Sequence, residues 1–409
     1  MTSILLVLPV PIRNIGGELW FESQAANGLD RWAENFASVV VAAPTIPEHV
    51  LAERSSWQWV PCSQLMHAKR ITLLELPWAY SPRNFFAHRG QVRQLLRRQI
   101  AQCQYLQFAV GGLFGDWAST AALEAHGMGR PFAVWTDRVE SEVVRITASE
   151  KSGARKHLTL LYAELMRRYE RYVIRRAHLG LFHGAETFQA YSHLAKFPFL
   201  THDIHTKSTD LISEPDLVQK QRNASDPKRP IRIGYAGRAT PMKAPLDWLG
   251  VLAGLSGMDV IYEAAWAGDG ELLEHMHTFI NEHSLENQVT LKGFVSDRAE
   301  VLAFLRSCDV LLFTHITPES PRIILEAMIS GTPVVGYTSG YVEEIIPPSD
   351  QDLLCKIGDV ERLAETVASL ASDRTKLVAA MRRAREVGMS FNDDAVFKHR
   401  SDLIKQYLA

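Results

Sequence analysis

Residues 318–337, PESPRIILEAMISGTPVVGY, give the clearest indication of the fold, because they predict a helix that leads directly into a buried strand. With Ser320 as N-cap and Pro321 as the first helical residue, the helix extends for about ten residues before Gly331 ends it. The apolar residues 333–337 then form the strand. A helix that alternates with a buried strand in this way is typical of α/β proteins.

Two acids flank the start of this helix. Glu319 stands in the loop before it, and Glu326 lies seven residues later, about two helical turns further along. The unpaired amides and the positive end of a helix dipole attract phosphate, each interaction contributing roughly 0.3 to 2 kcal/mol. One carboxylate can bind a sugar and the other a ribose, so the layout suits a nucleotide-sugar.

Length and composition indicate a globular protein with two domains. A chain of 409 residues exceeds the usual span of one core. Its net charge of −2 argues against nucleic-acid binding driven by bulk charge. The four cysteines form no closely spaced pair, which disfavours a zinc site or disulfide framework and predicts a cytoplasmic location. The N-terminal apolar run lacks a basic start, so we expect a strand there rather than a signal peptide.

Short apolar runs alternate with helical patterns in both halves of the chain, which predicts parallel sheets with helices on both faces. The predicted strands are residues 4–8, 38–43, 105–110, 131–136, 179–184, 231–237, 260–268, 289–295, 309–315 and 333–337. The polar segment 219–230 has the composition of an exposed linker. We therefore expect the domain boundary between about 200 and 230.

The loop GYAGRATPMKAP (234–245) follows the first strand of the second half. Gly237 forms a tight turn, Arg238 and Lys243 flank it, and a helix begins near Pro245. Ligands of open parallel sheets bind outside the carboxyl ends of the strands, so we expect this loop and the Glu319 loop to face one crevice. An arginine fork and a lysine point charge suit a diphosphate. The alternative is that both cations only decorate a surface turn.

The first half offers a second phosphate candidate. Gly16 and Gly17 follow the first strand and precede a predicted helix that carries Trp20, Phe21 and Trp32, so the backbone there could approach a phosphate closely. A plain strand-to-helix turn explains the same pattern.

Strand 131–136 delivers Asp137 to its carboxyl end, where a group that orients or deprotonates an acceptor hydroxyl would stand. His126, in the turn before the strand, competes for this role. The run VGGLFG (110–115) resembles a dinucleotide-binding loop, but Val110 occupies the position of the first glycine.

Basic residues cluster in two helical stretches of the first half, with leucine, phenylalanine and tyrosine between them. They are Arg83, Arg89, Arg93, Arg97 and Arg98, then Arg155, Lys156, Arg167, Arg168, Arg171, Arg175 and Arg176. Such stretches form either a solvated helix face or a surface that adheres to anionic lipid headgroups. The second possibility would place the protein at the inner face of the membrane, as a peripheral protein near a lipid-linked acceptor.

Four motifs together resemble glycosyltransferase family 4, a family of retaining enzymes with the GT-B fold. They are GRATPMK (237–243), AGDGELLEHM (267–276), VTLKGFVSDRAEVLAFLRSCDVLLFTH (289–315) and PESPRIILEAMISGTPVVGY (318–337). The resemblance implies two Rossmann-like α/β domains with doubly wound parallel sheets, facing across a cleft. Residues 1–205 would bind the acceptor, residues 206–390 the nucleotide-sugar donor, and residues 391–409 would form a helix that crosses back to the first domain.

The resemblance also implies roles for residues. Arg238 and Lys243 would hold the donor pyrophosphate, Glu326 the ribose, Glu319 the donor sugar, and the Gly293-Phe294 segment would line the base pocket. The predicted catalytic set is Asp137, Glu319, Arg238 and Lys243, and the predicted donor-binding set is Gly16, Gly17, Gly237, Arg238, Lys243, Gly293, Phe294, Glu319, Ser320, Pro321, Arg322 and Glu326.

Two departures from the family pattern stand out. Ser320-Pro321-Arg322 replaces the Phe-Gly that usually follows the first glutamate, and the spacing of the two glutamates is shorter by one residue. The family's usual histidine is absent from PFAVWTDR (131–138), where Asp137 stands near its place.

The sequence thus predicts a metal-independent, retaining glycosyltransferase of the hexosyltransferase type, without a cofactor other than its nucleotide diphosphate sugar donor. The acceptor would be a saccharide or a lipid-linked molecule, in the synthesis of a surface polysaccharide or glycolipid. A nucleotide-sugar epimerase of the same fold, a catalytically silent partner subunit and a dehydrogenase using residues 110–115 are the alternatives.

Overall fold

The computed structural model describes residues 2–51, 58–148, 152–202, 204, 206–317 and 321–409, and only the backbone of Gln24. The chain divides into two compact units. The first comprises residues 1–205 and 393–409, and the second comprises residues 206–392.

The first unit is an α/β structure. Its strands are β1 (Ser3–Val7), β2 (Ile12–Ile15), β3 (Glu18–Glu22), β4 (Ser38–Pro44), β5 (Trp59–Pro61), β6 (Ile71–Leu76), β7 (Tyr105–Ala109), β8 (Ala133–Thr136), β9 (Leu179–His183) and β10 (Phe197–Thr201). Its helices before residue 205 are α1 (Ser23–Asn35), α2 (Glu48–Leu51), α3 (Pro82–Gln102), α4 (Trp117–Gly127), α5 (Glu140–Thr147), α6 (Gly153–Ile174) and α7 (Gly184–Tyr191).

Its main sheet is parallel, with the described strands in the order β10-β9-β8-β7-β1-β4-β6. Leu5 at the centre pairs with Val40 of β4 and with Leu106 of β7. The chain builds outward from β1 through β4 to β6 and then returns to β7 on the other side of β1. The winding direction therefore reverses between the neighbouring strands β1 and β7. Ligands of open α/β sheets bind at the carboxyl ends of the strands at such a point.

Alternate side chains of β1 face two different cores. Ile4 and Leu6 pack into a cluster that includes Trp32 of α1, whereas Leu5 and Val7 pack into a cluster with residues of α3 and α4. Burial on both faces explains why the strands are continuous apolar runs rather than alternating patterns.

The segment after β1 differs from the sequence expectation. Gly16 and Gly17 form the tight turn of the antiparallel hairpin β2–β3, and Trp20 and Phe21 lie in strand β3 rather than in a helix. Their φ angles of +61° and +91° are both left-handed, as a two-residue hairpin turn requires. The predicted strand-to-helix turn was wrong because the Gly-Gly pair sits between two short strands that the apolar pattern did not separate.

The second unit is also α/β. Its strands are β11 (Ile231–Ala236), β12 (Tyr262–Ala267), β13 (Val289–Gly293), β14 (Val310–Phe313), β15 (Val334–Tyr337) and β16 (Leu354–Cys355). Its helices are α8 (Glu214–Ala224), α9 (Pro245–Gly257), α10 (Leu273–Glu282), α11 (Arg298–Ser307), α12 (Arg322–Ile329), α13 (Gly340–Ile345), α14 (Val360–Ser372) and α15 (Arg374–Ser390).

These strands form a second parallel sheet in the order β13-β12-β11-β14-β15-β16. The chain runs from β11 outward to β13 and then returns to β14 on the other side of β11. The reversal point of this sheet thus lies between β11 and β14, directly below the two loops that the sequence singled out.

The predicted linker is partly wrong. Its first residues complete helix α8, and Lys220 is buried there. The Lys220 ammonium donates to the carbonyl oxygen of Ser330 (3.1 Å) and to the hydroxyl of Thr332 (2.5 Å) at the end of α12. Burial lowers the pKa of Lys220 from 10.5 to about 8. The polar composition of the segment therefore reflects a structural contact as well as exposure.

The last helix, α16 (Asp393–Tyr407), belongs to the first unit. Phe397 packs edge-on against Trp32 of α1 at 5.5 Å between ring centroids, and the Arg400 guanidinium lies 5.1 Å from the Trp32 ring centroid. In the part of the chain that the structure describes, no helix combines the length and apolar character needed to cross a membrane.

Candidate functional site

The loops after β11 and β14 are hydrogen-bonded to each other. The Thr314 hydroxyl donates to the carbonyl oxygen of Lys243 (2.9 Å), and the Ile316 amide donates to that of Met242 (3.0 Å). The structure therefore joins the Lys243 loop to residues 314–316, which precede the Glu319 loop in the chain, and the shared crevice of the two loops stays a prediction. Glu319 and Ser320 lie outside the described residues.

The turn at Gly237 is fixed by the end of β12. The Trp266 indole donates to the Gly237 carbonyl oxygen (3.0 Å), and the Ala239 amide donates to the carbonyl oxygen of Asp269 (2.9 Å). A Cβ atom at Gly268 would lie 1.9 Å from the Gly237 carbonyl oxygen, so the two backbones approach more closely than any side chain allows. This rigid turn presents Arg238 to solvent, where its guanidinium has no hydrogen-bond or ion-pair partner within the described residues.

Lys243 is oriented by a buried histidine that the sequence reasoning missed. The Lys243 ammonium donates to Nδ1 of His315 at 3.2 Å. Because an ammonium has no acceptor, Nδ1 must accept, and the neutral imidazole then donates from Nε2 to the hydroxyl of Tyr235. His315 and Tyr235 are both nearly fully buried, which holds this chain of hydrogen bonds in one arrangement. The position of His315, two residues after the end of the buried strand β14, was the feature that could have revealed it.

Helix α12 starts one residue later than expected. Pro321 is the N-cap, with no side-chain capping bond, and Arg322 is the first helical residue. A cation at a helix N-terminus opposes the helix dipole unless an anion binds there. Gly331 has a φ of +63° just past the end of the helix, which agrees with the predicted stop. The start of α12 therefore combines a cationic side chain with a helix end that favours anions.

Glu326 lies on the second turn of α12 and is held by an arginine. Its carboxylate accepts from Arg298 at 2.6 Å, and the same guanidinium donates to Asp210 at 3.0 Å. Burial lowers the pKa of Arg298, but the two carboxylates outweigh it, so the net pKa is raised. Arg298 and Asp210 are a second pair of residues that sequence reasoning did not identify. Gly293 ends β13 with a φ of +70°, and the Phe294 side chain after it is 62% exposed.

In the first unit, Asp137 follows β8 and meets a histidine of the next strand. Its carboxylate lies 3.8 Å from Nε2 of His183, the last residue of β9, and 61% of the Asp137 side chain is exposed. His126 lies near the C-terminal end of α4, which precedes β8, so it stands at the amino edge of the sheet. The two acceptor candidates are thus at opposite edges, and only Asp137 is at the carboxyl edge. Gly16 and Gly17 form the turn of the β2–β3 hairpin, and their role in binding phosphate stays a prediction.

Some of the cations on the two basic helices form ion pairs within the first unit. Arg93 and Arg97 of α3 both pair with the buried Glu124 of α4, and Arg167 and Arg168 of α6 both pair with Glu164. Arg83, Arg89, Arg155 and Lys156 are exposed and form no ion pair with any described residue.

Comparison with solved structures defines the class of fold. The chain is similar to Anabaena Alr3699/HepE in complex with UDP, with a TM-score of 0.68, 17% identity, and coverage of 99% of this chain and 100% of that one. It is also similar to WaaG, a glycosyltransferase involved in lipopolysaccharide biosynthesis, with a TM-score of 0.60, 14% identity, and coverage of 98% and 99%. The chain has the GT-B fold, with two Rossmann-like units, which confirms the predicted fold class.

Comparison with sequence families is more specific for the second unit. Residues 218–387 match the family model described as glycosyl transferases group 1. The chain is 29% identical to the 2-deoxystreptamine glucosyltransferase of Streptomyces kanamyceticus over 154 residues, which is 38% of this chain and 40% of that protein. It is 26% identical to the putative colanic acid biosynthesis glycosyltransferase WcaL of Salmonella typhimurium over 192 residues, or 45% and 47%. Each match therefore spans less than half the length of the curated relative.

Proposed function

We propose that the protein is a retaining glycosyltransferase that moves a sugar from a nucleotide diphosphate donor to a hydroxyl acceptor. The observation that carries this proposal is that the loops after β11 and β14 are hydrogen-bonded to each other. It sets Lys243, oriented by His315, at the reversal point of a parallel sheet, with Arg238 exposed on the same loop. Such reversal points bind ligands, and paired cations there suit a diphosphate.

In the proposed reaction the bond between the anomeric carbon and the diphosphate oxygen breaks, and a bond from that carbon to the acceptor oxygen forms on the same face. Negative charge then develops on the departing diphosphate. Arg238, Lys243 and the N-terminal end of α12 would stabilise it without a metal ion, and preorganised charges of this kind often make the largest contribution to catalysis. Glu319 would contact the donor sugar. The acceptor proton would leave with the departing phosphate oxygen or through a carboxylate such as Asp137.

The remaining predicted residues fit supporting roles in the same scheme. Arg298 fixes one oxygen of the Glu326 carboxylate, which leaves the other to accept from ribose hydroxyls. Phe294 offers an exposed ring beside the end of β13, where the base would stack. The relatives named for colanic acid and amylovoran biosynthesis support a role in surface polysaccharide or glycolipid synthesis. The exposed cations of α3 and α6 that form no ion pair with a described residue support contact with anionic lipid headgroups, as expected of a cytoplasmic protein at the inner face of the membrane.

Donor binding is tested by thermal shift with uridine, guanosine and adenosine diphosphate sugars, because a ligand that binds only the folded state raises its melting temperature. Arg238→Ala should weaken binding of the best nucleotide roughly 10- to 150-fold, the loss expected for one charged hydrogen bond. Arg232→Ala is the matched control, since Arg232 lies at the amino end of β11, the strand that precedes the Arg238 loop, and pairs with Glu263.

Catalysis is tested by incubating the best donor with and without saccharide acceptors. A new glycosidic product with retained anomeric configuration is the expected result. An altered sugar with donor alone would indicate an epimerase, and failure of all three nucleotide classes to bind would contradict the proposal and favour a silent partner subunit.

A further inference from the structure

A cavity of ≈ 190 Å³ lies at the reversal point of the first sheet and contains none of the proposed donor-binding or catalytic residues. Leu8 and Pro9 at the end of β1, the loop 111–115 after β7, and the first residues of α4 enclose it. Sites that enclose a whole drug-sized ligand usually measure roughly 300–1,000 Å³, so this cavity fits a segment of a larger molecule.

The side chains that line the cavity are mostly apolar. Leu113, Phe114, Trp117, Tyr162 and Met166 supply its side chains together with Tyr80. The Trp117 indole already donates to the Pro77 carbonyl oxygen (2.9 Å), so only its ring face is available to a ligand.

The one acidic residue that lines the cavity is engaged with the protein itself. The Asp116 carboxylate accepts from the amides of Ser119 (2.9 Å) and Gly111 (3.2 Å). Burial raises the pKa of Asp116. Apart from Asp116 and the two tyrosines, the side chains that line the cavity offer no free hydrogen-bonding group, so a hydrocarbon segment suits it better than a hydroxyl-rich sugar.

An exposed apolar ridge continues from the cavity along α6. Leu158, Leu161 and Leu165 are 65%, 58% and 47% exposed, and their helical spacing places them beside Tyr162 and Met166, which line the cavity. Phe86 of α3, also exposed, packs edge-on against Phe114 at the cavity wall.

Cations flank this ridge. Arg155 and Lys156 stand at the start of α6, and Arg83 and Arg89 stand on α3, all without an ion-pair partner in the described ranges. Exposed leucines bordered by unpaired cations match an anionic amphiphile better than a free sugar.

We propose that the acceptor is an amphiphile whose alkyl or prenyl chain occupies this cavity and the α6 ridge. The proposal rests on the proposed function and names the class of its acceptor. The loop that closes the cavity also approaches the acceptor side of the site, because a Cβ atom at Gly111 would lie 3.0 Å from Glu140, three residues after Asp137. The chain would thereby hold the saccharide end near the carboxyl edge of β8.

The test is calorimetric titration of the full chain, without donor, with maltose and with hexyl, octyl and decyl maltosides below their micellar concentrations. Affinity should rise about fourfold for each added methylene until the cavity and ridge are covered. Ala118→Leu, which fills the cavity from α4, should abolish this dependence. Because residue 118 is buried, its substitution could also disturb the fold. The double substitution Leu161→Ser/Leu165→Ser on the surface of α6 therefore provides a second test, and it should weaken decyl maltoside binding at least tenfold. Ile261→Ser, at a residue of the second unit that is 65% exposed, is the matched control and should leave binding unchanged.

Equal affinity for maltose and all three maltosides would overturn the proposal, and so would a chain-length dependence that both the filled cavity and the serine pair leave intact. Nucleotide binding to the second unit is measured separately by thermal shift. A flat maltoside series with an intact nucleotide shift refutes the amphiphilic acceptor alone. Chain-length dependence without any nucleotide shift supports the cavity and refutes the proposed transferase function.

Discussion

The hydrogen bonds from Tyr235 through His315 to Lys243 lead to a prediction for His315→Ala. This substitution removes the Nδ1 acceptor that orients the Lys243 ammonium, so the lysine gains rotamer freedom that each ligand must then restrict. Fixing a lysine side chain costs roughly 1.5 to 2 kcal/mol of rotamer entropy, which corresponds to about 10- to 30-fold weaker binding of a nucleoside diphosphate. The assay is isothermal titration of wild type and variant with the diphosphate that gives the largest thermal shift.

Tyr235→Phe is the control for this experiment. It removes the hydroxyl that meets Nε2 of His315 but keeps the contact between His315 and Lys243. We expect it to lower the free energy of unfolding by about 1 kcal/mol and to leave diphosphate affinity within about threefold of wild type. If His315→Ala binds the diphosphate as tightly as wild type, or if both variants lose affinity equally, the positioning role of His315 is refuted. Melting temperatures without ligand separate a loss of fold from a loss of affinity.

Two further predictions concern stability. Because burial lowers the pKa of Lys220 from 10.5 to about 8, the unfolded chain binds more protons than the folded one between these values, and the free energy of unfolding should rise with pH across that window. Across the whole window the free energy of unfolding should rise by about 3 kcal/mol. Urea titrations at several pH values should show this rise in the wild type and not in Lys220→Met. Parallel pH curves for the two proteins would contradict the prediction. Gly268→Ala should cost at least about 2 kcal/mol, since its Cβ would meet the Gly237 carbonyl oxygen. Gly257→Ala, where a Cβ meets nothing within 4 Å, should be neutral or slightly stabilising, and equal effects of the two changes would show that the close approach is not rigid.

The strand pattern was readable because both sheets are parallel and buried on both faces. All ten predicted strands are present within the described residues, and most of them are covered on both sides and are short, continuous apolar runs, the edge strand β13 being the exception. The strands that were missed lie where this condition fails. β6 and β10 are the edge strands of the first sheet, and Pro198 interrupts the apolar character of β10. The hairpin β2–β3 is antiparallel and partly exposed, so its residues lack a continuous run.

Only part of the candidate site could be predicted from the sequence. Gly237, Arg238, Lys243 and Glu326 could be placed because each follows a strand or lies on a helix with clear end signals. Their partners could not be placed, because His315 lies 72 residues from Lys243 and Arg298 lies 28 residues from Glu326. Sequence spacing gives no information about which distant side chains meet.

Local periodicity and helix end preferences are properties of neighbouring residues, so the α/β class, the order of the strands along the chain, and the loops that follow β11 and β14 could be predicted from the sequence. The neighbours of each strand, the point at which each sheet reverses its winding, and the contacts of Lys243 with His315 and of Glu326 with Arg298 became known only from the folded structure. Those features depend on the packing of segments far apart in the chain, so the apolar cavity beside α6 could be recognised only after the sheets had been assembled.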